Sequence, residues 1–201
     1  MPDWDADSRR LHANLISVLS GIRDHARARA PVSVELARGW HEDIMDGLQV
    51  PELRFVGAFR GEAGLEDVGV GIGEHDGTAP GQVSAELQEF ENHLVRAIEY
   101  LDGLIPAGQG PDANTLQAVL DVCAFAHAEW IRIHPFANGN GRTGRLWANL
   151  VAMRYGLPPF VRLRPRPEGD AYADASEEAM TGDWRPTADI FLAMLDEYLK
   201  E

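Results

Sequence analysis

The segment His134-Pro-Phe-Ala-Asn-Gly-Asn-Gly-Arg-Thr-Gly-Arg145 brings an imidazole, a glycine-punctuated loop and two guanidinium groups into twelve consecutive residues. Histidine is the side chain best suited to accept a proton near neutral pH. Gly139 and Gly141 let the backbone come close to a bound group. If the segment after them opens a helix, its first N–H groups lack intrahelical partners, and the helix dipole favours an anion there. Arg142 and Arg145, three residues apart, project from one side of such a helix and offer planar, permanently charged forks to phosphate oxygens. The combination reads as a polyphosphate cradle with a base beside it. The implied chemistry is attack by a hydroxyl on a phosphoryl or nucleotidyl group, with His134 taking the proton. Each residue alone has a plainer reading, a packed histidine or a solvated arginine; the pattern favours the site.

The surrounding sequence predicts mainly helices to hold this segment. Leu11, Leu15, Val18, Leu19 and Ile22 recur at helical spacing, and that run ends near Ala30-Pro31. A second helix starts near Ser33, carries Leu36, Trp40, Ile44 and Met45, and stops at Gly47. Residues 57–83 are glycine-rich, and Val68, Val70 and Ile72 alternate with glycines at period two, the pattern of a short strand or hairpin arm. This piece is either a binding loop with a free strand edge or a mobile surface loop. Helical spacing returns over about 83–104. It recurs from a cap at Asp112 or Asn114 to Ile133, where the helix is apolar on most sides and therefore central. A loop at 134–141, a helix over about 142–155, an irregular stretch at 160–170, and helices over about 171–180 and 186–199 complete the chain.

Composition bounds the function. The 201 residues carry 45% hydrophobic and 25% charged side chains, a globular balance long enough for one core. A net charge of −14 argues against a broad nucleic-acid or anionic-membrane surface unless basic groups cluster locally. Cys123 is the one cysteine, which excludes an intramolecular disulfide and a multi-cysteine zinc site, and it reads as a small buried apolar residue. No long apolar run or basic leader is visible, so a cytoplasmic location is expected. The single lysine, Lys200, among many arginines hints at a GC-rich bacterial genome.

The segment resembles the Fic (filamentation-induced) family, whose motif is H-x-F-x-[DE]-G-N-G-R-x-x-R. His134, Phe136, Gly139, Asn140, Gly141, Arg142 and Arg145 match it, with the common Pro135. The likeness extends to Ala124-x-x-His127-x-x-Trp130-x-x-Ile133, to Trp40-His41, to Gly57-Ala-Phe-Arg60 and to Ala79-Pro80, and covers about residues 34–197. It implies a mainly α Fic-type bundle around a central pair of motif helices, with a small β-hairpin flap. Residues 1–33 would form a lead-in and helix, and residues 34–201 the Fic domain of a single globular unit. It further implies transfer of AMP from ATP to a Ser, Thr or Tyr hydroxyl of a target protein. His134 would be the general base and Phe136 the anchor of the loop. Gly139, Asn140 and Gly141 would form the anion hole, and Arg142 and Arg145 would hold the outer phosphates. The flap, about 65–73 and including Val68, Gly69, Val70, Gly71 and Ile72, would register the target by backbone pairing. Tyr172 would lie near the nucleotide base.

Two departures from the family pattern matter. The acidic residue that holds Mg²⁺ in the family is Asn138 here, whose neutral amide oxygen can coordinate but brings no charge. Three readings stay open: weak Mg²⁺ binding with the same reaction, a different nucleotide or phosphate-linked donor, or a catalytically impaired binding module. The family's inhibitory pattern [ST]-x-x-x-E-[GN] is absent, since no Ser or Thr has a Glu four residues on. Restraint would then come from a separate antitoxin-like protein, or the site is unblocked. His127 reads as a packed histidine. Arg162, Arg164 and Arg166 form a short basic strip that is either solvated or in contact with a partner.

Overall fold

The computed structural model describes residues 4, 8–72, 74–164, 167 and 170–200. Among these residues seven α-helices and one two-stranded hairpin follow in order. They are α1 (Arg9–Arg27), α2 (Val34–Met45), β1 (Gly71–Ile72), β2 (His75–Asp76), α3 (Pro80–Leu104), α4 (Leu116–Ile133), α5 (Asn140–Arg154), α6 (Asp170–Met180) and α7 (Arg185–Tyr198). The mainly α class expected from the helical spacing is the observed one. Arg166 of the basic strip lies outside the described residues.

The helix pair α4–α5 forms the centre of the bundle, and α1, α3, α6 and α7 pack around it. Apolar residues on most faces of α4 draw it into the core, and a narrow stripe with Gln117, Asp121, Phe125, Glu129 and Arg132 stays exposed or half-buried. Val119, Leu120, Cys123, Ala124, Trp130 and Ile133 are all fully buried. Cys123 sits in that core. Trp130 and Trp147 pack against one another and against Phe90 from α3, so aromatic area fills the space between the three helices. Leu11, Leu15, Val18 and Ile22 of α1 join the same core. No helix of the described residues is long and apolar enough to cross a membrane.

Helix boundaries shift in ways that matter for the site. α3 begins at Pro80, whose missing N–H costs nothing at the first helical position. Before α4, the Asp112 carboxylate accepts from the Asn114 and Thr115 N–H groups and forms a turn, and Thr115 is the residue that precedes the helix. α5 begins at Asn140, two residues earlier than its apolar spacing predicts, because Gly139 turns left-handed (φ 85) and starts the helix. Arg142 therefore stands in the first turn, but Arg145 belongs to the second. The period-two segment yields only a short antiparallel pair, Gly71 opposite Asp76 and Ile72 opposite His75. A further bond from the Gly77 N–H to the Val70 carbonyl extends it (2.9 Å).

Candidate active site

His134 ends α4 in the left-handed conformation (φ 53, ψ 55), an uncommon state for a residue with a side chain. This breaks the helix and turns the imidazole toward a cavity of about 580 Å³. Its Nδ1 lies 3.0 Å from the Ile131 carbonyl, which can only accept, so the ring proton sits on Nδ1. Nε2 keeps its lone pair and has no partner among the described residues. Burial holds the His134 pKa below its ordinary value; the Arg60 charge adds to this, while the bond to Ile131 opposes it. The ring is therefore neutral and able to accept a proton at pH 7.

The loop from His134 to Gly139 is fastened from beneath. Phe136 is fully buried, stacked on His41 (centroids 4.1 Å apart) and tilted against Phe59 and Trp130. His41 accepts from the Gly57 N–H through Nδ1 and donates through Nε2 to the Asn138 carbonyl, both at 3.0 Å. Burial pushes its pKa down to about 4, so it acts as a neutral two-ended brace. The Asn140 side chain closes the loop on itself. Its Oδ1 accepts from the Phe136 N–H and its Nδ2 donates to the Phe136 carbonyl, both at 2.8 Å. Thr143 Oγ1 accepts from the Trp130 indole N–H (2.7 Å) and joins the start of α5 to α4. A Cβ on Gly139 would stand 3.1 Å from Met45 Cε at a left-handed φ that strains any side chain, which favours glycine there.

The residues singled out in the sequence converge on one cavity. His134, Asn138, Gly139, Asn140, Gly141, Arg142 and Arg145 line it, and Val70 and Gly71 of the hairpin form part of its wall. Phe136 lies below it in the core, and the Val68 carbonyl points instead to Arg60. Gly69 is exposed and Ile72 pairs in the hairpin. The Asn140 side chain is spent on Phe136, so only its backbone N–H, with that of Gly141, is left to meet a ligand. Ile131, Ala137, Arg164, Tyr172 and Ser176 complete the wall. His127 is buried behind it, 2.8 Å from the Tyr172 hydroxyl, with its pKa pushed down to about 3 by burial and the Arg145 charge.

No carboxylate lines the cavity among the described residues, although the chain as a whole is strongly acidic. Arg145 is 4% exposed and forms two long hydrogen bonds, to the Tyr172 hydroxyl and the Leu163 carbonyl, each 3.3 Å. Its Nε is buried without a partner. A buried guanidinium with no carboxylate beside it is costly unless an anion completes it. Its side chain runs back along α5, bringing NH1 to 3.2 Å from where a Gly141 Cβ would be, so it reaches the first turn from the second. Arg142 donates to Asn138 Oδ1 and to the Trp4 carbonyl, both at 2.7 Å.

Magnesium is poorly served by these residues. Asn138 Oδ1 already accepts from Arg142, and no group of three or more His, Cys, Asp or Glu side chains able to hold a metal occurs among the described residues. Mg²⁺ favours carboxylates together with phosphate oxygens. This donor set does not fit a protein-held Mg²⁺.

Arg60 stands within the Gly57-Ala-Phe-Arg60 likeness but had no role marked by the sequence, and nothing in the sequence singled out Gly77 or Thr143. His41 was legible through the Trp40-His41 likeness, and as a polar residue amid the apolar positions of its helix. The contacts of Arg60 had no such signal, because its partners are backbone carbonyls, 8 to 74 residues away.

The sequence profile of the Fic/DOC family matches residues 31–152. Proteins named protein adenylyltransferase Fic from Drosophila willistoni and Drosophila melanogaster are 34% identical over 132 residues, covering 64% of this chain and 23% of theirs. The chain thus spans about a quarter of the length of these curated relatives. Among solved structures, BepC of Bartonella tribocorum, with bound AMPPNP, superposes with a TM-score of 0.63 at 17% identity, covering 96% of this chain and 90% of that one. A Fic family protein from Desulfovibrio desulfuricans G20 gives 0.62 at 24% identity, covering 94% of this chain and 52% of that one.

Proposed function

Since the chain belongs to the Fic/DOC family, we propose that it is a protein adenylyltransferase that moves AMP from ATP to a Ser, Thr or Tyr hydroxyl of a target protein. The observation that carries this reading is the juxtaposition of a neutral imidazole, its Nε2 bare, with a buried guanidinium that lacks a carboxylate, across one cavity. A cavity of about 580 Å³ is within the range that takes a nucleotide-sized ligand. The triphosphate lies against the N–H groups of Asn140 and Gly141 and the Arg145 guanidinium, with Arg142 beside it. The target hydroxyl hands its proton to His134 Nε2 as its oxygen bonds to the α-phosphorus. The bond from that phosphorus to the bridging oxygen breaks, and pyrophosphate leaves. Charge that builds on the phosphate oxygens meets donors already in place. The target segment pairs along the hairpin edge near Val70 and Gly71, which forms the cavity wall. Arg145 has no carboxylate partner among the described residues, which supports a site that this chain does not itself block, whether a separate antitoxin-like protein restrains it or nothing does.

A second reading, a different phosphate-linked donor, is favoured by Asn138, which leaves the cavity without the acid that anchors Mg²⁺ in the family. One experiment separates the two. The chain is incubated with ATP labelled at the α- or γ-phosphate, and with labelled UTP, GTP and CDP-choline, beside His134→Ala. Stable protein label from α- but not γ-labelled ATP, absent in His134→Ala, is expected. Label from another donor alone selects the second reading. Nucleotide binding with no label from any donor, with cell extract supplied as target, refutes both and leaves a binding module.

A further inference from the structure

Arg60 is 1% exposed, and no carboxylate pairs with it among the described residues. Its guanidinium instead donates to four backbone carbonyls. Nε bonds to His134 O (2.7 Å), NH1 to Val68 O (3.1 Å), and NH2 to both Thr78 O (2.7 Å) and Ile133 O (2.9 Å). Its own N–H donates to the Pro135 carbonyl (2.7 Å). Two of these acceptors stand at the end of α4, where carbonyls have no helical partner and the dipole is negative. The other two flank the hairpin, one before β1 and one after β2. One rigid planar fork therefore touches both ends of the flap and the residue that carries the base. Arg60 does not line the cavity.

We propose that Arg60 is a positioning residue that locks the register of the flap to the imidazole of His134, so that a target strand seated on the hairpin delivers its hydroxyl to Nε2. This rests on the adenylyltransferase reading, in which the flap holds the target and His134 takes the proton. Attack geometry tolerates little error, and two separately mobile elements would rarely meet it. A guanidinium suits the task because its donors diverge in a fixed plane, whereas an ammonium concentrates three donors at one point. The interior position keeps water from competing for the four carbonyls.

The test is Arg60→Lys in the full chain, with Arg60→Gln as the companion should the lysine variant not fold. Three quantities are read: ATP binding by calorimetry, hydrogen exchange of the Gly77 amide in the flap, and the nitrogen shifts of the His134 ring, which report its tautomer. Retained ATP affinity, faster exchange at Gly77 and a His134 ring averaging between tautomers are expected together. Self-labelling from α-labelled ATP should fall about tenfold or more through kcat, with KM for ATP little changed. The proposal is overturned if only one of the two elements loosens. It is also overturned if labelling per bound ATP stays at the wild-type level while only thermal stability drops. A wild-type chain that binds no ATP refutes the adenylyltransferase reading instead. The exchange and ring-shift measurements would still report whether Arg60 joins flap and base.

Discussion

Asn140→Ala gives the most direct check that the loop is held as described. The Asn140 side chain is 2% exposed and makes two 2.8 Å bonds to the backbone of Phe136, which is itself fully buried. Alanine leaves one N–H and one carbonyl buried without partners. At about 1–3 kcal/mol for each orphaned group, the loss is about 4 kcal/mol. For a chain of this length that lowers Tm by about 10 °C. Thermal unfolding followed by circular dichroism measures it, and calorimetry with ATP shows whether the N–H groups of α5 have lost their alignment. Asn140→Asp sharpens the test. Its carboxylate still accepts from the Phe136 N–H but sets a second oxygen against the Phe136 carbonyl, and only the protonated acid can donate there. The folded-state pKa of that acid is therefore raised above its unfolded value. Its contribution to stability is full below the unfolded pKa and is lost as pH rises through the folded one, so the variant lies closer to wild type at pH 4 than at pH 7. An alanine variant within about 1 kcal/mol of wild type, or an aspartate deficit that ignores pH, would refute the reasoning.

Gly77→Ala places a Cβ 2.9 Å from His134 Cβ and 3.2 Å from Val70 Cγ2, so the flap and the imidazole must shift relative to one another; labelling should fall about tenfold to a hundredfold while ATP binding persists, as a filter assay and calorimetry would show. Arg145→Met removes a buried, carboxylate-free charge, so it should leave the unliganded Tm equal or higher while weakening ATP binding about tenfold to a hundredfold. Asn138→Asp supplies the missing acid and should preserve or raise AMP transfer in Mg²⁺, and loss of labelling in that variant would count against a weakened family site. His41 and His127 are neutral when folded, with pKa values near 4 and 3. Stability is thus present above the unfolded histidine pKa and falls as pH drops toward the folded values. Urea melts should show a loss of about 2 kcal/mol per histidine between pH 7 and pH 5, and a flat profile would contradict their burial as neutral rings.

The helices were legible because apolar spacing and burial coincide. Leu11, Leu15, Val18 and Ile22 face the core as their three- and four-residue steps predict. The motif residues were legible because few patterns place a histidine, paired glycines and two arginines so closely. The start of α5 was missed because its helical state is set by the left-handed turn at Gly139, not by any apolar residue. The inward turn of Asn140 was missed because an asparagine in a glycine loop looks equally ready to bind a ligand or its own backbone. Arg60 was hidden for a deeper reason. Its partners are carbonyls of residues 68, 78, 133 and 134, which carry no side-chain signature and meet only in the folded chain.

The central claim is that a nucleoside triphosphate binds between His134 and Arg145, and a crystal of the chain grown with AMPPNP tests it most directly. The account predicts phosphate oxygens within hydrogen-bonding distance of the Asn140 and Gly141 N–H groups and of the Arg145 guanidinium, with His134 Nε2 facing the side of the α-phosphorus opposite its leaving group. A nucleotide seated elsewhere, such as the groove beside Phe160 and Met194, or a His134 ring turned away from the phosphates, would contradict it.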